Sequence, residues 1–116
     1  MVRYVIGYLG VTTPQGERKR WNGVLAGKGI DGFFDGYPTK TRDDLQFRLS
    51  EMFLLERRGY ILAPQFHVPV LELLDVVDAS AQAAGKADTV VNEGGVLHGY
   101  LCGDDDERRC GLWFPA

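Results

Sequence analysis

The sequence predicts an α/β protein with a mostly parallel β-sheet. Short runs of β-forming apolar residues alternate with helix-forming segments along the 116 residues, and no internal repeat is present. Connections through such helices join parallel strands, whereas a Gly-rich tip at residues 92–95 predicts one antiparallel hairpin. A chain of this length is about the size of one domain. We therefore expect a single domain over residues 1–116.

Three of the predicted strands are short apolar runs, at residues 4–10, 30–37 and 60–63. The first run ends at Gly10, and the other two are followed by Pro38 and Pro64. Proline gives a sheet no backbone donor, so each of these two residues ends its strand.

The clearest predicted helix begins after Thr41, whose hydroxyl can cap the free backbone amides together with Asp44. Its apolar stripe repeats every four residues: Leu45, Leu49 and Phe53. Arg57 and Arg58 predict a basic last turn, and Gly59 predicts the end of the helix.

The remaining elements are predicted from shorter patterns. Helices are expected over residues 17–27, from Pro69 through Val77, and over residues 79–84. Residues 89–91 and 96–97 flank the hairpin tip, and residues 104–107 form a predicted charged loop before an apolar end at residues 112–114.

Composition excludes several classes of function. The formal net charge is -3, and the longest basic run is residues 18–20, so a nucleic-acid partner is not expected. No apolar stretch approaches the ~20 residues that cross a bilayer, and the N-terminus lacks the pattern of a signal peptide. We expect no membrane partner and a cytoplasmic location. Cys102 and Cys110 are too few for a zinc site and predict free thiols.

Two motifs in the second half carry a family resemblance. Residues 73–78 read L-L-D-V-V-D, and residues 81–100 read A-Q-A-A-G-K-A-D-T-V-V-N-E-G-G-V-L-H-G-Y. Without a gap, they resemble L-L-D-x-V-D and A-x-x-I-G-A-V-N-T-V-V-N-x-x-G-x-L-x-G-Y in the substrate-binding domain of the shikimate and quinate dehydrogenases. The first half agrees more loosely, with Trp21 and Asn22 at the family's H-N pair. The resemblance covers nearly the whole chain.

The resemblance implies a three-layer α/β/α sandwich with its active site beside a following dinucleotide-binding domain. In this sequence no strand is followed by G-x-G-x-x-G and a helix, and only 16 residues remain after Tyr100. We therefore expect no nucleotide-binding domain and no cofactor in this chain. NADP would bind only where a partner chain supplies that domain.

The family's catalytic pair is a lysine in T-x-P-x-K and an aspartate in N-T-D. Counting forward from Pro64 places Phe66 at the lysine position, whereas counting back from residues 73–75 places His67 there. His67 could carry a proton, because imidazole titrates near neutrality, or it could be a polar residue at a helix entrance. Asp104 stands one residue after the aspartate position, and it could equally belong to a solvated acidic run.

The family's substrate-binding residues are also changed. Asp88 replaces an asparagine that hydrogen-bonds the substrate, and an ionised carboxylate there would repel an acidic ligand. The two serines that hold the substrate carboxylate in the family are missing, so Thr12 and Thr13 are the nearest substitutes. Arg18 or Arg20 could hold a carboxylate instead, although both could be surface residues. The remaining candidates for ligand contact are Asn22 and Gln65.

Three functional hypotheses follow. The first is a substrate-binding domain that binds a small polar metabolite, such as a shikimate-like or quinate-like acid, and is not catalytic alone; its partners would be a nucleotide-domain chain or a second copy of itself. The second is a regulatory or scaffolding module that binds protein through the former cleft. The third is an independent enzyme built on His67 and Asp104.

Overall fold

The computed structural model describes residues 3–115, so Met1, Val2 and Ala116 of the predicted domain lie outside it. The strands are β1 (Tyr4–Gly10), β2 (Gly32–Pro38), β3 (Gly59–Leu62), β4 (Val76–Val77), β5 (Thr89–Glu93) and β6 (Val96–Tyr100). The α-helices are α1 (Glu17–Gly27), α2 (Arg42–Leu54), α3 (Ala79–Ala84) and α4 (Asp106–Trp113). Short 3-10 helices cover Pro64–Phe66 and Pro69–Leu73.

The strands form one sheet in the order β2-β1-β3-β5-β6-β4. β1 is parallel to both of its neighbours, and β4 is parallel to β6. β5 is antiparallel to β3 and β6, so it alone runs opposite to the other strands. The mostly parallel sheet and the hairpin β5–β6 are therefore confirmed. Gly94 and Gly95 make the tight turn with φ of 59° and 94°, which glycine adopts without strain.

Helices cover both faces of the sheet, which confirms the three-layer sandwich. One core lies between the sheet and helices α1 and α4: Ile6, Trp21, Leu25, Phe34, Val91, Cys110 and Trp113. The other lies on the α2 side and includes Leu9, Leu45, Leu49, Met52, Tyr60, Leu62, Phe66, Val70, Val90 and Leu97. Val90 and Val91 belong to opposite cores because successive strand residues point to opposite faces.

Helix α2 begins as predicted, but its buried stripe and its end differ. Thr41 and Asp44 form the predicted capping box. Phe53 is 54% exposed, whereas Met52 is fully buried, because steps of four residues drift around the helix by about 80° from Leu45 to Phe53. The helix ends at Leu54 instead of continuing to Gly59, and Glu56 adopts a left-handed φ of 51° just after it.

Two further element predictions were wrong. The predicted helix from Pro69 ends as a short 3-10 helix at Leu73, and Val76–Val77 is the edge strand β4 beside β6. The Asp75 carboxylate accepts from the Leu97 amide at 2.9 Å, which helps to hold this segment extended. The predicted charged loop at residues 104–107 contains the start of α4, because Asp105 caps the helix through the Arg108 amide and acidic residues suit a helix N-terminus.

Candidate functional site

Most of the predicted site residues lie at one edge of the sheet, which we call the carboxyl edge. Parallel strands end at the same edge, so the segments that follow β1, β2, β3 and β6 all emerge there. β5 is antiparallel and therefore begins there. This topology brings together five of the seven predicted site residues and leaves Asn22 on helix α1. The five are Thr12, Thr13, Gln65, His67 and Asp88; the seventh, Asp104, follows β6 at the same edge but is exposed on the tip of its loop.

Asp88 is buried and fully engaged with the protein itself. Its carboxylate accepts hydrogen bonds from the amides of Cys102 and Gly103, at 2.9 and 2.8 Å, and from the Thr89 hydroxyl at 2.9 Å. The guanidinium of Arg109, also buried, lies 3.4 Å away. The negative charge of Asp88 is therefore compensated inside the fold, and its oxygens hold the loop after β6 against the start of β5.

Arg109 in turn ties helix α4 to the sheet. Its Nε donates to the Thr89 hydroxyl at 2.9 Å, and another nitrogen contacts the Asp106 carboxylate at 3.1 Å. A buried guanidinium needs such partners, because an unpaired charge is costly in a low-dielectric interior. Arg109 thus links Asp88, Thr89 and Asp106 through one buried guanidinium.

Asn22 is engaged with the neighbouring strand. Its side-chain oxygen accepts from the Phe34 amide at 2.8 Å, and its nitrogen donates to the Phe34 carbonyl at 3.0 Å. A second contact of that nitrogen is the Arg18 carbonyl at 2.8 Å. Asn22, on helix α1, therefore provides hydrogen-bond partners for the backbone of β2 at Phe34.

His67 lies half-buried in the turn between the two 3-10 helices. Its Nε2 lies 2.9 Å from the carbonyl of Leu62, the last residue of β3, so Nε2 carries a proton and donates it. Its own carbonyl accepts from the Ala87 amide at 2.8 Å, next to Asp88. These contacts fix the ring at the carboxyl edge in a defined tautomer, with Nδ1 as the acceptor of the neutral form.

Gln65 and the two threonines lie near the surface of the carboxyl edge. Thr12 is exposed, and Thr13 is half-buried with its hydroxyl against Gly36 of β2, where any side chain would displace it. The Gln65 amide donates to the carbonyl of Lys40 at 3.3 Å. Lys40, which follows β2, is thereby placed beside the segment that carries Gln65 and His67.

The other charged candidates are paired elsewhere or exposed. Arg18 pairs with Asp35 at 2.7 Å, and Arg20 pairs with Glu17 at 2.9 Å and with Asp106.

The Cys102 thiol is not set up as a nucleophile. Burial raises its pKa, which disfavours the reactive thiolate.

Two clefts lie away from the carboxyl edge. A cleft of about 920 Å³ lies at the opposite edge of the sheet, between the start of β1, the end of α2 and the hairpin tip. A second cleft, of about 460 Å³, runs beside α2 and is lined by Phe53, Leu54 and Leu97 among others. Neither of these two clefts includes a predicted site residue.

Two kinds of pattern could bind a ligand within the described residues: a phosphate-binding glycine motif and a cluster of metal-ligating side chains. A string G-x-G-x-x-G does occur at residues 27–32, but it joins the end of α1 to the start of β2. Phosphate binding by this motif requires a strand before it and a helix N-terminus after it, so the string does not fit. Residues 3–115 contain no cluster of three or more His, Cys, Asp or Glu side chains placed to hold a metal. Within the same range no helix is long and apolar enough to cross a bilayer.

Sequence reasoning missed two residues of this region. Lys40 could have been found, because it follows a predicted strand whose end shares an edge with the other candidates. Arg109 carried no local signal, since its burial depends on how α4 packs against β5.

Known structures share this fold. No protein-family model matches the sequence, and a comparison with curated proteins also gives no match. The chain is similar to shikimate 5-dehydrogenase from Listeria monocytogenes in complex with shikimate and NAD, with a TM-score of 0.80 and 20% identity over 93% of this chain. It is also similar to 5-ketofructose reductase of Gluconobacter, with a TM-score of 0.78 and 19% identity over 87% of this chain.

The shikimate 5-dehydrogenase from Thermus thermophilus in complex with shikimate is 26% identical over 84% of this chain, with a TM-score of 0.76. This chain spans only 36–37% of the length of these three proteins. In the two shikimate 5-dehydrogenases the match lies in the N-terminal portion. The chain thus has the fold of the substrate-binding domain of shikimate dehydrogenases.

Proposed function

We propose that this chain binds a small polar acid of the shikimate or quinate type at the carboxyl edge and does not oxidise it alone. The proposal rests on one observation, which is that four polar residues lie at that edge: Thr12, Thr13, Gln65 and His67. The same fold in the Listeria and Thermus enzymes has been seen with shikimate bound.

The electrostatics of the edge support an acidic ligand. The sequence predicted repulsion from Asp88, but Arg109 and two backbone amides compensate that carboxylate. Lys40 follows β2 at the same edge, where its backbone carbonyl accepts a hydrogen bond from the Gln65 side chain. An ammonium group contacting a carboxylate makes a charge-assisted hydrogen bond, so Lys40 is the residue that we expect to hold the ligand's acid group.

Hydroxyl groups of the ligand would be bound by side chains that can donate or accept hydrogen bonds. Thr12 and Thr13 can each donate and accept, and His67 presents Nδ1 as an acceptor because Nε2 donates to Leu62. Asn22 and Asp88 would act indirectly, by holding β2 and the loop after β6 in place. Redox chemistry would require a partner chain that brings the nucleotide domain and NADP.

Calorimetric titration with shikimate, quinate and dehydroshikimate tests this proposal. We expect at least one acid to bind, and Lys40→Met to weaken binding by about tenfold or more, because a hydrogen bond to a charged group contributes about 1.5–3 kcal/mol. Lys28→Met is the matched control, since Lys28 precedes β2 at the opposite edge. Absence of binding by all three acids would reject the proposal.

A regulatory or scaffolding module that binds protein through the former cleft is the second candidate. The Asp88–Arg109 contact favours it, because the residue at the substrate asparagine's position is committed to the fold. This candidate predicts that none of the three acids binds, while a protein partner protects the amides of Ala63 and of residues 65–67 from hydrogen exchange. Binding of an acid that is sensitive to Lys40→Met would argue against it.

A further inference from the structure

The sheet ends in two strands of very different length. The strand at one end, β4, has two residues, whereas β2 at the other end has seven. A strand at the edge of a sheet presents backbone donors and acceptors that can pair with another chain, and a short edge strand offers few of them. The β2 edge is therefore where this fold would accept a further strand, unless its backbone groups are occupied.

The backbone of Phe34, in the middle of β2, is occupied by the side chain of Asn22. The Phe34 amide has one proton and donates it to the Asn22 oxygen at 2.8 Å, so this amide points away from β1. The Phe34 carbonyl accepts from the Asn22 nitrogen at 3.0 Å. A carboxamide offers an acceptor oxygen and a donor nitrogen, as a peptide group does. Asn22 thus takes the place that a further strand would have beside Phe34.

The next outward-pointing residue of β2 is occupied in another way. Backbone groups alternate between the two sides of a strand, so the Gly36 amide points to the same side as that of Phe34. It donates to the Asp35 carboxylate at 2.8 Å, and the same oxygen lies 2.7 Å from a guanidinium nitrogen of Arg18 on α1. These two charged side chains are 43% and 65% exposed. Charges on an edge strand oppose pairing with another chain.

We infer that Asn22 and Asp35 keep the β2 edge from pairing with the β2 edge of a second copy of this chain. Two copies related by a two-fold axis perpendicular to the sheet would set the two β2 strands antiparallel, each against its own copy. The strand itself suits such pairing, because Phe33, Phe34 and Tyr37 are aromatic and favour sheets. This role is separate from the proposed ligand binding and is tested without any ligand.

Sedimentation equilibrium over a range of concentrations tests the inference. We expect Asn22→Ala to raise the association constant at least tenfold over that of the unaltered chain, because it frees the amide and the carbonyl of Phe34. The matched control is Asp105→Ala, which removes the N-terminal cap of α4 and so also destabilises the fold, but leaves the groups beside β2 in place. An association constant that does not rise in Asn22→Ala, or rises equally in both variants, would overturn the inference.

Asp35→Ala tests the inference without altering the core. It should raise the association constant in the same direction, because the Gly36 amide loses its acceptor. Asp31→Ala is the control, since it removes the same charge from the exposed residue just before β2. Equal rises in the two variants would attribute the association to net charge and contradict the role of Asp35.

Hydrogen exchange at the Phe34 amide locates the contact. In Asn22→Ala this amide should exchange fast in dilute solution and more slowly as the concentration rises, because β2 of a second copy then accepts its proton. In Asp105→Ala its exchange should not depend on concentration, since Asn22 still accepts from it. An Asn22→Ala variant that associates while its Phe34 amide stays equally fast at all concentrations would contradict pairing through β2.

Discussion

The carboxylate of Asp88 and the guanidinium of Arg109 lie 3.4 Å apart, and both side chains are buried. This contact joins the last helix to the residue that precedes β5. It stands where the resemblance implies an asparagine that binds substrate. In this fold the Asp88 side chain bonds to the protein itself.

Arg109→Met should lower the free energy of unfolding by about 3 kcal/mol. The substitution leaves the Asp88 carboxylate buried without its cation, and breaking one partner of a buried pair costs about 3–5 kcal/mol. Urea denaturation measures the change. Arg108→Met is the control, because Arg108 is exposed and its pair with Asp78 should contribute less than about 1 kcal/mol. An equal loss of unfolding free energy in both variants would show that the buried Asp88–Arg109 contact stabilises the fold no more than the exposed Arg108–Asp78 pair.

Asn22→Ala should destabilise the fold by about 1–3 kcal/mol, since the Phe34 amide and carbonyl would both lose their side-chain partner. Lys19→Ala, an exposed substitution in the same helix, should change little. Thermal unfolding compares the two. Because Asn22 lies on α1 and not at the carboxyl edge, affinity for any acid that binds should be retained. A stable Asn22→Ala variant that no longer binds the acid would contradict this and show that Asn22 contacts the ligand directly.

Glu56→Gly should raise the free energy of unfolding by about 0.5–1 kcal/mol. Glu56 has a φ of 51°, at the position after the helix where glycine is favoured, and the Arg57 amide bonds to the Met52 carbonyl at 3.2 Å across it. A residue other than glycine loses about 1–2 kcal/mol of stability in the left-handed conformation. Glycine loses about 0.5–1 kcal/mol because its unfolded state has more conformational entropy, so the substitution gains more stability than it loses. A lower midpoint in urea would contradict this reasoning.

The alkaline stability of the fold should depend on Tyr60. Burial raises the pKa of Tyr60 to about 12, while its hydrogen bond from Arg57 opposes the rise. The unfolded phenol ionises near a pKa of 10.0, so the unfolded state loses a proton that the folded state keeps between pH 10 and 12. Stability from this group is complete below pH 10 and falls as the pH rises to 12. Between pH 9 and 12 the free energy of unfolding should decline less steeply in Tyr60→Phe than in the unaltered chain.

Local patterns predicted much of the fold. The capping box at Thr41 and the Gly94–Gly95 turn depend on neighbouring residues, so the sequence alone places them. The element predictions that were wrong concern segments whose structure depends on tertiary contacts. Val76 and Val77 suit either a helix or a strand, and pairing with β6 selected the strand. The edge shared by the candidate residues followed from parallel topology, whereas the engagement of Asp88 depends on Arg109, which is 21 positions away in sequence.

The central claim is that an acid binds at the carboxyl edge, and amide chemical-shift mapping with shikimate tests it most directly. We predict saturable shifts concentrated at Thr12, Thr13, Lys40, Gln65 and His67. Shifts confined to the opposite cleft, around Arg3, Arg58 and Gly95, would contradict the account, as would a spectrum unchanged by shikimate, quinate and dehydroshikimate.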